Sequence, residues 1–406
     1  MKMRKINLFV IQLFFLFVFN ISAQSTDQPK LVVGIVVDQM RFTDLYRYQQ
    51  FFSDNGFKKL ISNGSNFVNA HYNYIPTNTG PGHASIYTGT TPYFHGIINN
   101  DFYDRLTKRF VNCVQDDEMQ TIGSNGDEGK KSPKNLFATT ITDALKLFTN
   151  QKSKVISISI KDRGAILPAG HLADGVFWYN TKNGEFISSS YYLNDLPQWV
   201  KEFNKKNIAE KFLSSDWNLL LDAKAYEINS PDESEFEPDF FNEGKKSFPH
   251  SFKNLKQEEK FEKLSFTPFV HDMLIELAKS AIINEQLGKN SVPDFLAISF
   301  SSTDLIGHMW GNYSYELMDT YLRLDRQIGE LINFLDKEIG KGNYLLFLTS
   351  DHGAIETPGY LKKNKIPTGE IGTSKVSDSL KAFAKRKFGS ESLIENYSSG
   401  SIYFNR

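Results

Sequence analysis

Four runs of apolar, largely β-branched residues set what this 406-residue chain can become: 31–37, 155–160, 294–300 and 344–349. Their apolarity is continuous, not alternating, which is the pattern of strands buried on both faces beneath covering helices. Between them, helical apolar spacing is expected over 46–63, 138–148, 267–285 and 315–339. Strands alternating with helices imply an α/β fold with a mostly parallel central sheet and helices on both faces. One main domain is expected over 30–406, interrupted by an insertion at about 170–265. In that insertion, short aromatic runs at 176–179 and 190–192 mix with charged, Pro-containing loops, which suits a cap.

The residues just beyond these strands carry the chemistry. Asp38 comes directly after one of the runs, Asp351 two residues after another and Asp304 shortly after a third, with His308 and His352 close behind. In a parallel sheet these ends gather on one edge, where open α/β sheets place their sites. Five oxygen and nitrogen donors then converge, a set suited to a divalent metal. Asp304 and His308 are four residues apart, on one face of a helical turn. Asp351 and His352 are adjacent and reach one ion only from a bent loop, which Gly353 permits. Taken singly, each carboxylate reads as a helix cap and each histidine as a hydrogen-bonded imidazole. Their shared placement favours the metal.

The stretch 76–85 is a turn running into a helix, with Pro81 suited to the first helical turn. A hydroxyl there lies over exposed backbone N–H groups, where the helix dipole favours an alkoxide or a phosphate oxygen. The simpler reading is a Thr or Ser that caps the helix. Beside a metal, a threonine hydroxyl becomes a competent nucleophile. Lys161 and Arg163, at another strand end, suit the nonbridging oxygens of a phosphoryl group, and Asn100 offers an amide donor.

The chain begins with Lys2, Arg4 and Lys5, an apolar run over 6–19, and small residues at Ser22 and Ala23. This pattern reads as a signal peptide over 1–23 and predicts a periplasmic or secreted protein with no transmembrane anchor after cleavage. Cys113 is the only cysteine, so an internal disulfide is excluded. The formal net charge of −1 gives no field for nucleic acid as a specific partner.

Taken together, the motifs resemble those of the alkaline phosphatase superfamily, and closely its PafA-type bacterial branch with a threonine nucleophile. The matching residues are Val36-Val37-Asp38-Gln39-Met40-Arg41, Thr77 to Ser85, His95-Gly96-Ile97 with Asn100, Lys161 to Gly170, Ser302-Thr303-Asp304 with Gly307-His308, and Ser350-Asp351-His352-Gly353. The resemblance implies a phosphate monoester hydrolase acting on small-molecule phosphate esters, expected as a monomer. It implies two zinc ions. Asp38, Asp351 and His352 would hold one, which also binds Thr79, and Asp304 and His308 the second. Thr79 would attack phosphorus and form a phosphothreonine, with Asn100, Lys161 and Arg163 binding the transferred group.

The resemblance also implies a further zinc-ligand histidine late in the chain, yet none follows His352. A C-terminally truncated sequence, or a weakened second site, is therefore expected, because a catalytic zinc usually has three protein ligands. Two other readings stay open: a nucleotide pyrophosphatase/phosphodiesterase-type hydrolase, and an inactive metal-binding homologue.

Overall fold

The structure, a computed structural model, describes residues 28–398 and 400–405; the expected signal peptide lies outside the described residues. Seven strands form the main sheet: β1 (Leu31–Val37), β2 (Thr121–Ile122), β3 (Val155–Ser159), β4 (Gly175–Asn180), β5 (Glu185–Ser189), β6 (Asp294–Phe300) and β7 (Tyr344–Thr349). Their order is β2-β5-β4-β3-β6-β1-β7. The pairs from β4 through β3, β6 and β1 to β7 are parallel, while β5 runs against its neighbours β4 and β2. The four runs expected as buried strands are thus β3, β6, β1 and β7, side by side, as the continuous apolarity requires.

The principal helices are α1 (Thr79–Thr88), α2 (Ile141–Phe148), α3 (Asp162–Ala169), α4 (Phe269–Asn284), α5 (Ser302–Trp310) and α6 (Tyr315–Leu335). Alternate residues of the central strands face opposite layers. Val33, Ile35, Leu296 and Ile298 join one core with Leu274 and Leu277 of α4 and Leu324 and Ile328 of α6. Val36, Phe295 and Ala297 meet Tyr87 of α1 on the other face. Each fully buried aliphatic or aromatic side chain contributes roughly 1.5–3 kcal/mol to such a core. Among the described residues no helix is long and apolar enough to cross a membrane.

Three expectations change in detail. The single helix expected over 46–63 is broken into Phe42–Arg47, Gln49–Phe51 and Phe57–Asn63. The break has a cause in α6, whose Asp325 carboxylate accepts from Ser53 N (2.6 Å) and Phe57 N (2.7 Å) and so caps the last piece from outside. The run at 190–192 is a turn, with Tyr192 N donating to Ser189 O. The stretch read as a capping insertion is not wholly separate from the sheet, because β4 and β5 extend it. What lies beyond the sheet is an aromatic layer in which Trp217, Phe240, Phe241 and His250 pack around Trp310, the last residue of α5. That stretch is thereby anchored on the helix that carries Asp304 and His308.

Candidate active site

Because β3, β6, β1 and β7 run parallel and adjacent, their C-terminal ends meet on one edge, and four chain segments deliver side chains there. Asp38 follows β1; its backbone N–H bonds Phe300 O at the end of β6, and Thr303 Oγ1 donates to its carbonyl (2.5 Å). Asp304 lies in the first turn of α5, and Asp351 and His352 follow β7. Ligand atoms of Asp38, Asp304 and His352 all lie within 4.8 Å of one another, the one such trio of candidate ligands among the described residues. His352 Nε2 is 3.3 Å from Asp38 Oδ1 and 3.8 Å from Asp351 Oδ2. His308 is 3.1 Å from Asp304 Oδ1 and mostly exposed, its side chain 69% accessible, so it forms the outer wall.

Electrostatics hold this cluster charged. Lys161 Nζ bridges Asp38 Oδ2 (2.7 Å) and Asp304 Oδ2 (2.5 Å). Burial lowers the Lys161 pKa, but the two carboxylates outweigh it and leave the ammonium above its ordinary value. Burial raises Asp304, as does Asp38, yet Lys161 and His308 bring it below the usual range. For Asp351, burial is opposed by His352, by the His83 hydrogen bond and by Lys161, which hold it at about 2. Burial lowers His352, but Asp351 and Asp38 carry it up to about 10. Asp38 Oδ1 is nonetheless buried without a hydrogen-bond partner, and Asp351 Oδ2 has only the 3.2 Å contact from His83 Nδ1. Under-satisfied carboxylate oxygens beside an imidazole nitrogen are the donor set a divalent ion takes, so the residues present fit a metal.

The expected nucleophile is tied to this cluster through backbone. Thr79 is the first residue of α1 and is 2% exposed. His83, one turn on and fully buried, lies with Nδ1 2.8 Å from Thr79 O and 3.2 Å from Asp351 Oδ2, and with Nε2 2.8 Å from Ser299 Oγ. Carboxylate and carbonyl are both acceptors, so Nδ1 carries the proton and Nε2 accepts from Ser299. Gly82 lets the chains approach: a Cβ there would lie 2.3 Å from Asp351 O.

Asn100 accepts at Oδ1 from Gly80 N (2.7 Å), which turns its amide nitrogen away from the helix. Asn99 Oδ1 takes both Asn78 Nδ2 (2.6 Å) and Asn100 N (2.8 Å), joining the residue before the helix to the expected phosphoryl donor. Arg163 is in the first turn of α3; burial lowers its pKa, but Asp162, Asp38 and Asp304 are among the charges that outweigh this and raise it. Among the described residues it makes no ion pair with the carboxylate cluster, its guanidinium lying instead 3.6 Å from Asp162.

The geometry therefore joins Asp38, Lys161, Asp304, His308, Asp351 and His352 by direct contacts, links Thr79 to them through His83, and adds Asn100 through Gly80. Sequence reasoning gave no role to Gln39 and His83, though both fall in the matching motifs, and missed Asn99. The spacing of His83, one helical turn after Thr79, was a usable signal. Nothing in the sequence marks the left-handed backbone of Gln39.

A sequence profile of the type I phosphodiesterase / nucleotide pyrophosphatase family matches residues 32–383. A protein of Myroides odoratus named calcium-transporting ATPase is 44% identical over 387 residues, covering 95% of this chain and 71% of the relative. Alkaline phosphatase PhoV of Synechococcus elongatus is 47% identical over 352 residues, covering 87% and 64%. Alkaline phosphatase PafA of Elizabethkingia meningoseptica is 41% identical over 390 residues, covering 95% and 71%. A crystal structure of wild-type PafA superposes with a TM-score of 0.88 over 93% of this chain and 72% of that one, at 41% identity. The chain thus spans roughly two thirds of the length of these three relatives, from 64% to 71%. With the family profile running nearly end to end and the PafA fold reproduced, the chain belongs to the type I phosphodiesterase / nucleotide pyrophosphatase family, in its PafA-type alkaline phosphatase branch.

Proposed function

We propose that the protein is an exported, monomeric phosphate monoester hydrolase acting on small-molecule phosphate esters through a phosphothreonine on Thr79. The observation that carries this reading is Lys161, whose ammonium stands between Asp38 and Asp304 at 2.7 and 2.5 Å, inside the carboxylate cluster. A cation there meets the nonbridging oxygens of a dianionic monoester, and it takes the space a second ester group would need. The names of the Synechococcus and Elizabethkingia relatives point the same way.

Zinc on Asp38, Asp351 and His352, and on Asp304 and His308, would supply Lewis-acid charge at the attacking and leaving oxygens. The protein's own groups do the rest. The turn at α1 presents the Thr79 hydroxyl, and His83 keeps that turn against Asp351. Asn100, with its oxygen engaged by Gly80 N–H, has its amide hydrogens free to donate to phosphoryl oxygen. Lys161 and Arg163 hold the charge of the transferred group.

A phosphodiesterase reading has the family profile in its favour. The two readings separate kinetically: the zinc-loaded protein should cleave an aryl phosphate monoester far faster than the matching diester. Comparable or faster diester cleavage overturns the monoesterase assignment. Thr79→Ala should lower turnover by about 10³-fold or more and abolish a phosphopeptide trapped at that position. Metal analysis should find about two zinc per chain; one or none, with no turnover, would mark a metal-dependent binding protein instead.

A further inference from the structure

Gln39 carries no charge and no nucleophile, yet it ties three candidate ligands together. Its backbone has φ +64°, the left-handed region that non-glycine residues seldom enter and that persists where surroundings over-determine it. Its backbone N–H donates to Asp351 Oδ1 (3.1 Å). Its side-chain Nε2 donates to Asp304 Oδ1 (2.8 Å) and lies 3.2 Å from His308 Nε2. The residue is 6% exposed, so its amide lies among protein groups and not in water.

Gly307, in the interior of α5, makes room for it. A Cβ there would lie 2.2 Å from Gln39 Oε1 and 3.3 Å from its Cδ, and no other atom apart from the helix's own backbone and the neighbouring residues lies within 4 Å. Glycine inside a helix is unfavourable relative to alanine. Here the one obstacle to alanine is the far end of the Gln39 side chain.

We propose that Gln39 is a positioning residue that sets Asp304 and His308 for a metal ion, and that position 307 is glycine to admit its amide. The proposal rests on the reading that Asp304 and His308 bind zinc. Side chains that orient metal ligands commonly change metal affinity by about 10–100-fold when removed.

The test measures the affinity of each zinc by chelator competition on the full chain, independently of turnover. Gln39→Gly removes the side chain at no backbone cost in the left-handed region. Gly307→Ala keeps Gln39 but displaces its amide, in a substitution that ordinarily favours a helix. Each should weaken one zinc by about 10–100-fold and leave the other unchanged. The double variant should be no weaker than Gln39→Gly alone. Asp304→Asn tests the underlying reading separately: wild-type affinities there would refute zinc binding by the pair itself. If Asp304→Asn weakens one zinc while Gln39→Gly and Gly307→Ala do not, the role given to Gln39 is wrong. Equal weakening of both ions would mark a merely structural effect and also overturn it, as additive effects would overturn the role of Gly307. Should Gln39→Gly not fold, Gly307→Ala decides alone.

Discussion

Two buried acidic clusters in this protein face opposite ways in protonation. At the strand ends, Asp38, Asp304 and Asp351 have Lys161, His83 and His352 built in among them. In the second, His250 meets Glu243 and, from the first turn of α6, Glu316, and the lysines near Asp232 and Glu237 turn elsewhere. Lys246 Nζ bonds the Ser234 carbonyl, and Lys245 reaches the Pro249 carbonyl. Asp351 accordingly falls to about 2, whereas burial above all pushes Glu237 up to about 9. The histidines part in the same sense: carboxylates carry His352 up against burial, while burial takes His250 below its ordinary value. A neutral His250 has one N–H, yet its nitrogens face Glu243 (3.2 Å) and Glu316 (2.9 Å). One carboxyl must therefore donate, and Glu316, raised well above its ordinary value chiefly by burial, is the one that holds the proton. Acidic clusters need not share one protonation state: Lys161, placed between Asp38 and Asp304, keeps one cluster ionised, and the lack of such a cation leaves the other holding protons.

Removing the cation from the first cluster should produce the largest effect. Lys161→Ala leaves Asp38 and Asp304 facing each other without their bridge, in the situation of the second cluster. Monoester kcat/KM should fall by about 10²–10³-fold, as when one stabilising donor to a developing charge is lost. Diester cleavage should fall less, because the lysine no longer fills the space of the second ester group. Equal losses on both substrates would mean that Lys161 merely balances charge.

The clusters also differ in how tightly backbone enforces them. The Asp351 carbonyl packs on Gly82, where a Cβ would sit at 2.3 Å, and no rotamer change relieves a backbone contact. Gly82→Ala should push α1 from the end of β7 and separate Thr79 from Asp351. A displacement near 1 Å costs about 10²-fold in turnover. The check is kcat alongside a thermal melt. Turnover within about threefold of wild type, far short of that loss, would show that this apposition is not needed.

How much of this was readable in the sequence depends on what strands can announce. Asp38, Asp304, Asp351 and His352 were legible because continuous apolar runs mark buried parallel strands, and sites lie where such strands end. That β6, β1 and β7 are neighbours was not legible, since strand order is settled by tertiary packing. The broken helix near Gly56 was hidden for the same reason: Asp325, far along the chain, supplies the cap. Gln39 escaped because a left-handed glutamine has no sequence signature, and Asn99 because one carbonyl oxygen serving two neighbours is visible only in space. In the charged loops of the insertion Glu233 and Glu235 are exposed, as expected of solvated turns, whereas Glu237 is buried, which charge density alone does not announce.

Glu237 offers a direct test at the second cluster. Glu237 is 4% exposed, and its folded pKa is about 9 against an ordinary 4.5. The folded state therefore holds a proton that the unfolded chain has lost throughout the window between those values. The stability this contributes is fully present below about pH 4.5 and is lost as pH rises through 9, by at most about 1.4 kcal/mol per pH unit. Glu237→Gln keeps the shape and cannot ionise, so its melting temperature should fall less than that of the wild type between about pH 6 and about pH 10. The two curves should converge toward acid pH, where the carboxyl and the amide are both neutral. Parallel curves would show that Glu237 is ionised in the folded protein, as Asp351 is, and the contrast between the two clusters would fail at the second of them.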